Sequence, residues 1–77
     1  MRLASFAVET PVGPVRRVGV DHEGALFDVT AGYAYVLDGE GDQSPVDVAE
    51  TVAPPDMIAF LRRGQSAFDA ADEVLER

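Results

Sequence analysis

The chain has no cysteine, no lysine and no tryptophan, and His22 is its one histidine. Without cysteine there is neither a disulfide framework nor a thiolate nucleophile. This mildly favours a reducing compartment, here the cytoplasm. With one imidazole and no thiol, a His/Cys metal set cannot be assembled. The bases are all arginine, six of them against eight Asp and six Glu, for a net charge of -8. That excess opposes approach to nucleic-acid phosphates and to anionic lipid, because both attractions require cations. Long apolar runs are missing too. The stretch from Met1 to Val8 is broken by Ser5 and ends at Glu9 without a cleavage-like site, so it reads as a strand and not as a signal peptide. No segment approaches the roughly 20 consecutive apolar residues of a membrane span, and a soluble protein is expected.

At 77 residues the chain holds one domain. A chain of this size buries little more than about 60% of the surface it exposes when unfolded, so its core is marginal. Small domains add disulfides, a metal or a partner surface; with cysteine absent and histidine scarce, a partner surface is what remains open. The acids are spread along the chain and do not form a tail. This weighs toward a halophile-like surface kept hydrated at high salt, ahead of an acidic face complementary to a basic partner.

The pattern is β first and helical afterwards. Ala4, Phe6 and Val8 alternate with Leu3, Ser5 and Ala7, as in a strand whose two faces differ. Thr10-Pro11-Val12-Gly13-Pro14 is a turn, Val18 and Val20 share a face of the next strand, Asp21-His22-Glu23-Gly24 is a second turn, and Ala25–Val29 is a third strand. Thr30 is expected to cap a helix in which Tyr33, Val36 and Leu37 share a face. After the loop Asp38–Ser44, Ser44 serves as N-cap with Pro45 at the first helical position, and Val46, Ala49 and Val52 form an apolar side. Pro54-Pro55 opens a further helix with a Met57, Phe60, Leu61 stripe that stops at a left-handed Gly64. Ser66 and Asp69 then form a capping-box variant for a last helix carrying Phe68, Ala71 and Leu75. The expected fold is α+β: a small antiparallel meander of about three strands with three to four short helices packed on it.

Candidate sites are few. Asp38, Glu40 and Asp42 are spaced like the first ligands of a calcium loop, but Gln43 stands where the turn needs Gly and Ala49 where a bidentate Glu is required, which favours a solvated loop. His22 has no nucleophile beside it to activate and reads as a turn histidine. Tyr33 and Tyr35 point in different directions on their helix, one to pack and the other to the rim. The pairs Arg16-Arg17 and Arg62-Arg63 read as structural, the second complementing a helix C-terminus.

The order of elements, from Met1-Arg2-Leu3-Ala4-Ser5-Phe6 through Arg17-Val18-Gly19-Val20, Ala25–Thr30 and Asp56–Leu61 to Gly64 and an Ala-rich helix, resembles the N-terminal domain of the fumarylacetoacetate hydrolase family. The resemblance spans essentially the whole chain. It implies that residues 1–77 are a single N-terminal-type accessory domain. In similar proteins a larger C-terminal β-rich domain performs metal-assisted cleavage of carbon–carbon bonds in dioxo acids, or related decarboxylation, isomerisation and hydration. There a carboxylate cluster holds Mg or another divalent ion, and a His-Glu pair acts on water. The resemblance places that domain, its metal and its catalytic residues outside this chain, so no family ligand or catalytic residue maps onto a position here and whether the chain belongs to an enzyme stays open. The expected role is packing against the catalytic domain of the same polypeptide or a second subunit of a homo-oligomer, through the exposed remainder of Tyr33, Phe60 and Phe68. The alternative is a free-standing acidic module that binds a basic protein.

Overall fold

A computed structural model describes residues 2–76. Strand β1 (Arg2–Thr10) pairs antiparallel with β2 (Gly13–His22), and β2 with β3 (Ala25–Asp28), giving a three-stranded meander in the order β1-β2-β3. Four helices follow: α1 (Val29–Gly39), α2 (Pro45–Val52), α3 (Met57–Arg63) and α4 (Gln65–Glu76). The fold is α+β. Each hairpin turns in two residues. Pro11-Val12 sits between the paired Thr10 and Gly13, where the Thr10 hydroxyl donates to the Gly13 carbonyl at 2.6 Å. Glu23-Gly24 sits between His22 and Ala25 with φ of 52° and 82°, the two positive angles of a turn whose twist matches the strands it joins.

The helix starts differ from expectation in two places. Strand β3 ends at Asp28, and the α1 cap is Asp28, whose carboxylate accepts from the Ala31 N–H at 3.1 Å. Thr30 is already helical and buried, and its hydroxyl donates to the Ala53 carbonyl at 2.5 Å. A carboxylate also couples to the positive end of the helix dipole, an advantage a hydroxyl lacks. Ser66 does not cap α4, which begins at Gln65. The Gly64 carbonyl accepts from Ala67 and Phe68, while Gln65 Nε2 donates to Asp69 Oδ1 at 2.8 Å, so Asp69 is engaged by a different neighbour. Ser44 is the N-cap position of α2 and Pro45 opens the helix, but the serine side chain makes no capping bond. Asp56 caps α3 through the Ala59 N–H, Arg62 and Arg63 lie in its last turn, and Gly64 ends it with φ 63° and ψ -133°, positive in φ but outside the left-handed helical well.

Helices cover one face of the sheet. From that inner face Val18 and Val20 enter a core completed by Val29, Ala53, Phe60, Ala67, Ala70 and Ala71, with Leu3, Tyr33, Val52, Met57, Phe68 and Leu75 packed around it. Phe60 and Phe68 meet edge to face, ring centroids 5.9 Å apart. Of the expected apolar side of α2, Ala49 is buried, Val52 half-buried and Val46 exposed; Leu61 of the α3 stripe is also exposed. Among the described residues no helix is long and apolar enough to cross a membrane.

Candidate functional site

The face of the sheet away from the helices is the less expected one. Strand alternation and the register Leu3↔Val20 and Ser5↔Val18 put Leu3, Ser5 and Ala7 on the side of Val18 and Val20, so the more apolar set of β1, Ala4, Phe6 and Val8, points outward. Val15, Gly19 and Leu26 share that outer face by the same pairing. Val8, Val15 and Leu26 are 45%, 37% and 48% exposed, and Phe6 is half-buried. Gly19 explains why Phe6 keeps some cover. A Cβ built there would lie 2.7 Å from Leu26 Cδ1 and 2.9 Å from Phe6 Cε1, so the two side chains close over bare backbone.

Two charged pairs share this face with the apolar side chains, Arg17 lying opposite Phe6 and Asp21 opposite Leu26. Arg17 grips Asp28 with two bonds, Nε to Oδ2 at 2.7 Å and Nη2 to Oδ1 at 3.1 Å. The Asp28 hydrogen bond holds the Arg17 guanidinium more firmly protonated, outweighing partial burial, which acts the other way. Because Asp28 also caps α1, one carboxylate ties the outer sheet face to the first helix. At the opposite corner Arg2 stands 4.0 Å from Asp21. Over residues 2–28 three arginines face four carboxylates, whereas over residues 29–76 two arginines face ten. The sheet layer is therefore nearly neutral and the helical layer strongly acidic.

The three residues expected to form a docking surface are placed apart from this face. Phe60 is 0% exposed and offers a partner nothing; its ring is spent on the domain's own core. Tyr33 and Phe68 are half-buried against the same core. Burial raises the Tyr33 hydroxyl above its ordinary pKa, and Glu73, Glu40 and Asp42 add to the rise. Tyr35 is 80% exposed, on the opposite side of its helix from the packed residues.

Elsewhere the chemistry is sparse. A cavity of about 280 Å³ between α1, α2 and β2 is lined by Arg17, Thr30, Ala31, Ala34, Val46 and Glu50. Its Thr30 hydroxyl is committed to Ala53 and its guanidinium to Asp28. His22 is exposed at the end of β2. In the acidic loop Asp42 Oδ1 accepts from the Ser44 N–H at 2.8 Å, a local turn bond. Among the described residues no three of His, Cys, Asp and Glu converge as a metal site would require. Comparison of the chain with protein-family models, curated proteins and solved structures finds no match.

Proposed function

We propose that this chain is a non-catalytic accessory domain of the fumarylacetoacetate hydrolase type, packing through the outer face of its sheet against the catalytic domain of the same polypeptide or against a second subunit. The observation that supports this reading is that the more apolar face of β1, joined by Val15 and Leu26, points away from the domain's own helices. An uncovered apolar face on a nearly neutral layer suits burial against another folded surface. Reaction and divalent metal belong, in this reading, to the partner domain, and these residues supply shape.

The test mixes the chain with a catalytic domain of that family freed of its own N-terminal domain. Size-exclusion chromatography should show a complex that Val15→Asp with Leu26→Asp abolishes and Tyr35→Ala leaves intact. No complex, or one indifferent to the aspartates, rejects the reading, as does turnover of an acylpyruvate by this chain alone with Mg present. A second reading, an acidic module for a basic protein, draws on the ten carboxylates of the helical layer. Its complex would survive both aspartates and dissociate as salt rises.

A further inference from the structure

The outer edge of β1 carries few of the devices that usually blunt an edge strand. It is nine residues long, contains no proline, and bears charge only at Arg2 and Glu9, near its ends. Its one neighbour in the sheet is β2, on the other side. A row of backbone donors and acceptors left open in this way is a template for another strand. We infer that β1 pairs with β1 of a second copy of this chain, antiparallel about a two-fold axis at Phe6, to make one six-stranded sheet.

Three observations select a second copy and this register. A two-fold axis perpendicular to the sheet keeps each residue on its own face, so paired positions must share parity, and the register using all nine residues is centred on Phe6. It sets Phe6 against Phe6, Ala4 against Val8 and Ser5 against Ala7 of the partner, placing an aromatic pair amid apolar neighbours on the outer face. The charge distribution permits it, because the copies meet through the nearly neutral sheet layer and the ten carboxylates of residues 29–76 lie on the helices and the segments that join them.

The inference is independent of whether that face docks on a catalytic domain, since it concerns the edge; either can fail while the other stands. The measurement is the mass of the chain in solution by light scattering, from about 10 µM to about 1 mM. Twice the 8.2 kDa of one chain is expected at the upper end. Ser5 and Ala7 are exposed, so both accept charge without disturbing the core. Ser5→Glu with Ala7→Glu sets like charges opposite each other across the axis and should weaken pairing at least about tenfold. Ser5→Arg with Ala7→Glu sets opposite charges there and should preserve it. Amide hydrogen exchange needs no variant: the β1 amides that do not face β2 should become protected as concentration rises. A single-chain mass throughout, β1 exchange indifferent to concentration, or a dimer untouched by the double glutamate would each overturn the inference.

Discussion

Glu23 sits at φ 52°, an angle that costs a residue with a side chain about 1–2 kcal/mol, in the first position of a two-residue turn. Asparagine tolerates that region far better. Glu23→Asn should therefore stabilise the chain by about 0.5–1 kcal/mol. For a domain of this size that is a rise of roughly 4 °C in the thermal midpoint followed by circular dichroism, and a fall would show the turn to be held by something other than its dihedrals. Tyr33 gives a pH signature. Its hydroxyl is raised by burial and by Glu73, Glu40 and Asp42. The folded state thus keeps its proton where the unfolded chain, titrating near 10, gives it up. The stability this contributes is fully present below about pH 10 and is lost as pH rises through the higher folded value. Tyr33→Phe should flatten the alkaline decline seen in urea midpoints between about pH 9 and 11, whereas parallel declines would place the lost stability elsewhere.

Between helices, the contact of α1 with α4 is sensitive to a single methyl group. A Cβ at Gly32 would stand 2.8 Å from Val74 Cγ1 and 3.2 Å from Cγ2. Alanine gains about 1 kcal/mol of helix propensity there but overpacks the contact by about 1–3 kcal/mol. Gly32→Ala should destabilise by about 1 kcal/mol net, and the cost should vanish or reverse in a Val74→Ala background; equal costs in both backgrounds would mean that the cost does not come from the contact with Val74. Such a contact cannot be read from spacing, because Gly32 and Val74 are brought together only by the crossing of two helices. What could be read were signals completed within a few residues: the alternation of β1, the proline and glycine turns, and Gly64 after Arg62-Arg63. Spacing does not place the cap of α1, because Asp28 and Thr30 both suit an N-cap, and Asp28 is held at the helix start by Arg17, eleven residues upstream. Phe60 lies inside the domain's own core for a related reason. A stripe such as Met57, Phe60, Leu61 announces that a helix face is covered without saying by what, and here the domain covers Phe60 itself. The outer face was hidden in plain alternation, since the sequence shows that the faces of β1 differ and only the register with β2 shows that the richer one turns outward.

Across the molecule, charge and sheet divide the same way, and this bears on why the chain is so acidic. The ion pairs Arg2–Asp21 and Arg17–Asp28 join sheet residues, while residues 29–76 set two arginines against ten carboxylates. Folding gathers those carboxylates onto a body only 31 × 28 × 24 Å in extent, closer together than in the expanded chain, so their repulsion opposes the native state. Salt shortens the range of that repulsion from roughly 10 Å at 0.1 M to roughly 3 Å at 1 M. If the acidity is an adaptation to salt, the thermal midpoint should climb steeply between about 20 mM and about 1 M sodium chloride. Salt also strengthens apolar burial in general, so the slope alone does not separate the causes. Asp72 and Glu76, both exposed on α4, do separate them. Asp72→Asn with Glu76→Gln should raise stability at low salt and make the slope shallower, because only the electrostatic part depends on those charges. An unchanged slope would assign the salt effect to apolar burial and leave the acidic helical layer to be explained by recognition of a basic partner.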